Sequence, residues 1–263
     1  MIRLNGEPIN VALFPDNTSQ VWKLPDISYT WADISWEFSS ESEFIHLAQL
    51  KTLLDSHSVK SYLTIKYLPY GRQDKEVSNT STFALRTFAT LLNSLHFSHV
   101  TIIDPHSIIA TDLIKNSEAK YPIEDVMKIA YLLKIDLFCY PDKGAYLKYT
   151  GFPNIQNEIY DYPCITCNKV RNQSTGEILS NELIGDVKNK NVLIVDDICD
   201  GGMTFIKTAE LLYAAGAKEV NLFVSHGIFS KGLKVLKQAN IKRIFTQDGE
   251  ALEYNGVIFN KNL

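Results

Sequence analysis

The chain has 263 residues, 45% of them hydrophobic and 21% charged, with a net charge of −4. That length can bury one large α/β core or two smaller ones, and the negative balance gives no electrostatic footprint for nucleic acid. No apolar run reaches membrane-spanning length, MIRLNGEPIN carries no signal-peptide pattern, and four cysteines make no disulfide framework in so long a chain, so a cytoplasmic protein without a membrane partner is expected.

Residues 9–14 (INVALF) read as a strand, and residues 29–38, loosely alternating and carrying Trp31 and Trp36, as another. Apolar residues at 44, 45, 47, 50, 53 and 54 have helical spacing and predict a helix over 42–56, with Ser-Glu-Ser-Glu as its capping start. A strand over 62–67 leads into a polar loop over 69–81, a helix over 82–95 and a strand over 100–104. A helix over 123–133 precedes a strand over 137–140 and a short helix over 143–150. A strand over 164–167 runs into KVRNQSTGEILSNE, which reads as a loop or hairpin. A strand over 191–195, a helix over 205–217, a strand over 220–225, a helix over 231–239 and short strands at 244–245 and 257–259 complete the chain. This alternation indicates an α/β fold in two halves, each a mainly parallel sheet flanked by helices. The strand–turn–helix pattern restarts near 134–140, so the halves are expected at 1–134 and 135–263.

The stretch NVLIVDDICDGGMT (191–204) organises the chemistry. A buried-strand run ends in Asp196 and Asp197, then Asp200, Gly201, Gly202 and Thr204 lead into a helix N-terminus, whose free N–H groups favour an anion. Phosphate in the turn and a diol on the acids would suit a phosphorylated sugar, although acids and Gly turns also end strands of any doubly wound sheet for structural reasons. Other polar segments sit at strand ends: LPYGRQDKE (68–76), IDPHS (103–107), YPDKG (140–144) and NKVRN (168–172). Taken alone, Arg72, Gln73 and Asp74 fit a solvated turn as well as a phosphate or base contact, and Lys169 and Arg171 fit surface charge. Cys164 and Cys167 form a lone CxxC on a strand, where i and i+3 point to opposite faces; with no second pair, they are read as core rather than as zinc or redox ligands.

Together, in order, these segments resemble the ribose-phosphate diphosphokinase (PRPP synthetase) family, whose two halves share the type I phosphoribosyltransferase fold. Residues 191–204 look like its phosphoribosyl-diphosphate motif. Pro69–Asp74 resembles a Pro-Tyr-Ala-Arg-Gln-Asp segment that binds ATP and that phosphoribosyltransferases of the same superfamily lack. Asp104–His106 resembles an Asp-Leu-His segment, with Pro105 in place of Leu; residues 141–144 resemble a Pro-Asp-x-Gly turn, and 225–230 a Thr-His-Gly-Ile-Phe-Ser segment in which His226 has at most a site-lining role. The resemblance implies Mg2+-dependent transfer of the β,γ-diphosphoryl group of ATP to the anomeric hydroxyl of ribose 5-phosphate. It places ATP on Arg72, Gln73, Asp74 and His106, and the metal on His106 and Asp142. The ribose hydroxyls fall to Asp196 and Asp197, and the 5-phosphate to Asp200, Gly201, Gly202 and Thr204. Lys169 and Arg171 would stabilise the transferring group, and a homo-oligomer is implied. Gly201 stands where the family usually has Thr, and the chain is short for the family. Both features keep open ADP-ribose, whose 5-phosphate is esterified, as the acceptor in NAD salvage. A phosphoribosyltransferase would have no need of the Arg72 loop, and a non-catalytic regulatory homologue would be expected to have lost the Lys-Arg pair or the acids.

Overall fold

A computed structural model describes residues 1–151, 162–171, 178–254 and 257–261. They form two compact units, Met1–Tyr121 and Pro122–Leu263. The expected division at 134/135 therefore falls at the end of a helix inside the second unit.

The first unit contains strands β1 (Ile2–Leu4), β2 (Glu7–Pro8), β3 (Val11–Leu13), β4 (Ser19–Val21), β5 (Trp31–Glu37), β6 (Lys60–Tyr67), β7 (His99–Ile103) and β8 (Ser117–Lys120), with helices α1 (Ser42–Ser56), α2 (Ala84–Asn93) and α3 (Ile109–Leu113). Its six-stranded sheet runs β2-β1-β5-β6-β7-β8 and is parallel from β5 to β8. Burial alternates along β5: Ala32, Ile34 and Trp36 turn inward and Trp31 and Asp33 outward, the period of two that a half-covered strand requires. Leu47, Leu50 and Leu54 of α1 and Leu85, Phe88 and Leu92 of α2 pack on the inward face at helical spacing. INVALF does not enter this sheet. Its centre forms β3, paired only with β4, while Ile2 and Leu4 supply the antiparallel strand beside β5.

The second unit contains α4 (Ile123–Leu133), β9 (Leu137–Tyr140), α5 (Lys143–Thr150), β10 (Cys164–Arg171), β11 (Ile178–Ile184), β12 (Asn191–Cys199), α6 (Met203–Ala214), β13 (Glu219–Gly227), α7 (Lys234–Gln238), β14 (Ile241–Thr246), β15 (Gly249–Tyr254) and β16 (Val257–Lys261). The sheet order is β11-β10-β9-β12-β13-β14-β15-β16, parallel from β10 to β14 and antiparallel at both ends. Val192 to Val195 are wholly buried, so β12 is covered on both faces as its continuous apolar run requires. The strand does not stop at Val195. It pairs with β13 through Cys199, which brings both acids into the sheet ladder.

Two further differences come from packing. Cys167 is buried with its Sγ 4.0 Å from that of Cys139 on β9, but Cys164 is exposed, so only one of the CxxC thiols is core. All four cysteines are free. The helix expected over 231–239 shortens to α7 because residues 227–231 turn back on the end of β12.

Candidate active site

In the second unit the candidate residues gather where β9 and β12 end. Asp196 pairs in register with Val224, and Ile198 with His226. The Asp196 Oδ1 accepts a hydrogen bond from the Asp197 N–H at 3.0 Å, turning the first carboxylate over the following peptide. Burial, and then the negative charge of Asp197, hold the Asp196 carboxyl well above the usual carboxylate range; Asp142 adds to the same effect. Asp197 is only 5% exposed. Its Oδ2 lies 3.4 Å from the Nζ of Lys148, a lysine on α5 that is itself buried. Asp142 caps α5, its Oδ1 accepting from the Ala145 N–H at 3.0 Å.

The turn from β12 to α6 is held by the segment after β13. The N–H groups of Ile228 and Phe229 donate to the Cys199 carbonyl at 2.9 and 3.0 Å, and the Ser230 hydroxyl donates to Asp200 Oδ1 at 2.5 Å. That gives the Ser-His-Gly-Ile-Phe-Ser motif a physical role. Gly227 is required because a Cβ there would stand 2.0 Å from the Phe229 ring, and the motif braces the turn through Ser230 and two backbone N–H groups. Buried His226 lies on β13 just before it.

The two glycines of the turn differ in kind. Gly202 has φ +77°, and a Cβ on it would stand 2.9 Å from Leu236 Cδ2. A Cβ on Gly201 would meet the flexible Lys231 stem at 3.6 Å, an ordinary contact. Gly202→Ala should therefore cost about 1–3 kcal/mol in urea unfolding, from backbone strain and crowding together. Gly201→Ala should stay within about 0.5 kcal/mol of the parent. Equal losses from the two would show that the turn is not held as described.

In the first unit, the Arg72 and His106 turns meet at the ends of the paired strands β6 and β7. A Cβ on Gly71 would lie 3.8 Å from that of His106 and 3.2 Å from the Leu68 carbonyl. The turn is anchored by Tyr70, with φ +62°, whose hydroxyl donates to Glu41 Oε1 at 2.6 Å. Gln73 N–H donates to the Tyr70 carbonyl at 2.9 Å, and Leu85 N–H to the Gln73 carbonyl at 3.2 Å. Arg72, Gln73 and His106 are exposed and Asp74 is partly covered. Beside this turn lies a cavity of about 380 Å³ lined by Trp36, Phe38, Glu41, Phe44, Tyr70 and Phe88 among others. Sequence patterning places Trp36, Phe38, Phe44 and Phe88 only on a strand and two helices, and Tyr70 in a polar loop.

Lys169 and Arg171 lie on β10, whose backbone passes the last residue of β9 and continues as a ribbon with β11. Their side chains lie outside the described part of the structure. Among the described residues no three His, Cys, Asp or Glu side chains converge into a metal cage. The concentration of negative charge that raises Asp196 nevertheless fits a hydrated Mg2+, which needs only one or two carboxylates and keeps its waters and substrate oxygens.

Comparison with known proteins bears on the fold and on sequence similarity. The phosphoribosyl transferase domain family matches residues 165–256. The ribose-phosphate pyrophosphokinase of Pyrococcus abyssi is 29% identical over 239 residues, covering 88% of this chain and 81% of its own. That of Mycoplasmopsis pulmonis is 28% identical over 179 residues, 67% of this chain. The crystal structure of phosphoribosylpyrophosphate synthetase from Mycobacterium smegmatis superposes with a TM-score of 0.73 at 19% identity, over 91% of this chain and 79% of its own. The chain is thus similar, over most of its length, to ribose-phosphate pyrophosphokinases. The match spans 55% of the length of the Mycoplasmopsis relative. The fold is therefore that of the Mycobacterium smegmatis structure, here in two α/β units whose sheets are mainly parallel. Among the described residues no helix is long and apolar enough to cross a membrane.

Proposed function

We propose that the protein transfers the β,γ-diphosphoryl group of ATP to the anomeric hydroxyl of ribose 5-phosphate, giving the 1-diphosphate and AMP. The observation that carries this reading is the pairing, in one chain, of an Arg72–Asp74 turn set against His106 with an acid pair that leads through a braced glycine turn into α6. Phosphoribosyl transfer alone would use only the second of these.

In this reading Arg72, Gln73, Asp74 and His106 hold ATP. Asp196 and Asp197 accept hydrogen bonds from the ribose 2- and 3-hydroxyls, and the N–H groups of the turn from Asp200 to Thr204 receive the 5-phosphate at the positive end of α6. His106 in the first unit and Asp142 in the second are each proposed as metal ligands, and Mg2+, when bound, would neutralise charge on the phosphate oxygens. Lys169 and Arg171 bring positive charge to the diphosphoryl group as it passes from ATP to the acceptor. Such a transfer relies on positioning and electrostatics more than on covalent help from protein. The protein is read as a cytoplasmic homo-oligomer.

One observation favours a second acceptor. Among the described residues, a Cβ on Gly201 would meet only the flexible Lys231 stem, which supports room there for a substituent on the phosphate, as in ADP-ribose. The deciding experiment is AMP release from Mg-ATP in parallel with ribose 5-phosphate and ADP-ribose. Faster turnover of ribose 5-phosphate is expected. Preference for ADP-ribose would assign the open turn to the esterified acceptor, and AMP from neither, with folded protein, would leave a non-catalytic homologue.

A further inference from the structure

Lys148 is the charged residue that the sequence hides. It lies on α5, six positions after the Asp142 cap, yet its side chain is 9% exposed and that of Asp197 7%. The ammonium stands 3.4 Å from Asp197 Oδ2 and 5.4 Å from the centroid of the Tyr149 ring, which itself stacks on Tyr140 at 6.0 Å. A buried ion pair is weak evidence of stability, since apolar residues of similar volume often serve as well or better. This pair also involves an acid at the substrate end of β12, not one in mid-sheet. The Asp197 N–H is in turn bonded to Asp196 Oδ1, so a shift of Asp197 reaches both acids.

We propose that Lys148 is a positioning residue for the acceptor sugar: its ammonium fixes the Asp197 carboxylate in the orientation that meets the vicinal diol of a ribose. The inference rests on the function proposed above, in which Asp197 faces the ribose hydroxyls. Lys148 touches no substrate; it acts through Asp197. Its loss should therefore weaken the acceptor selectively, and leave ATP, whose proposed ligands are in the first unit, largely unaffected.

The test is steady-state AMP release by wild type, Lys148→Met and Lys148→Arg, with KM measured separately for ATP and for the preferred acceptor. In K148M the acceptor KM should rise about 10- to 100-fold, as removal of a supporting partner commonly does, while the ATP KM stays within about 2-fold. K148R keeps the charge with a different geometry and should fall between the two, about 3- to 10-fold above wild type for the acceptor. An unchanged acceptor KM in folded K148M, or parallel loss toward both substrates, would overturn the inference while leaving the function intact. If K148M does not fold, K148R decides: a selective rise in acceptor KM supports the inference, and none overturns it. A wild type that releases no AMP with either acceptor removes the proposed function and this inference with it.

Discussion

Asp196→Asn should make the protein more stable and much less active. Burial and the charges of Asp197 and Asp142 hold this carboxyl well above its ordinary value of 3.8, so the folded chain pays to ionise it. The sign follows from linkage. A carboxyl whose folded value is raised supports folding fully below its unfolded value, and that support is lost as the pH rises through the folded value. At neutral pH the carboxyl therefore costs stability, because the unfolded chain ionises it freely and the folded chain resists its charge. Asparagine removes the charge, and its side-chain oxygen can still accept from the Asp197 N–H. A gain of roughly 0.5–2 kcal/mol is expected, about 2–6 °C in melting temperature for a chain of this size. Turnover should fall by about 100-fold or more if Asp196 holds the sugar. The stability gain should close as the pH is lowered toward 3.8, where wild type no longer carries the charge. A variant less stable than wild type at neutral pH would contradict this account of the acid pair.

Strain of this kind marks the places where local sequence rules run out. The apolar run of β12 and the acids that end it are legible from residue types alone, because a doubly covered parallel strand needs the first and ligand chemistry the second. The short helix over 143–150 is legible, but its buried stripe, Ala145, Lys148 and Tyr149 at i, i+3 and i+4, comes from the fold. A lysine in such a stripe reads as surface, and only the fold brings Asp197 to meet it. β8 (SEAK) and β1 (Ile2–Leu4) have no pattern of their own; they form because β7 and β5 offer hydrogen bonds. The Thr-to-Gly change at Gly201 was visible as a departure, but the different demands on Gly201 and Gly202 depended on Lys231 and Leu236, distant in sequence. Likewise, Trp36, Phe38 and Phe44 revealed a hydrophobic face but not the cavity they line beside Tyr70.

Lys169→Ala and Arg171→Ala should be the most damaging substitutions to catalysis while leaving the fold intact. β10 joins the sheet by pairing Cys164, Ile165 and Thr166 with Phe138, Cys139 and Tyr140, and residues 167 onward continue past the end of β9. From there, among the described residues, the ladder is with β11 alone; Lys169 pairs with Asn181, and the register shifts between Val170 and Arg171. A ribbon attached on one side contributes less to global stability than the central strands do. Either alanine variant should thus unfold within about 1 kcal/mol of wild type. Catalysis is a different matter, because charge on the transferring group must be met where it develops, and water in place of a fixed cation is a poor substitute. A fall in kcat of about 10²–10³-fold is expected for each, with the KM for ATP changed much less, since ATP is assigned other ligands. The double variant should lose less than the product of the single losses, as groups serving one transition state do. If each variant instead raised only the KM for ATP and left kcat unchanged, Lys169 and Arg171 would be ground-state binding residues, and the charge that stabilises transfer would have to come from elsewhere in the chain.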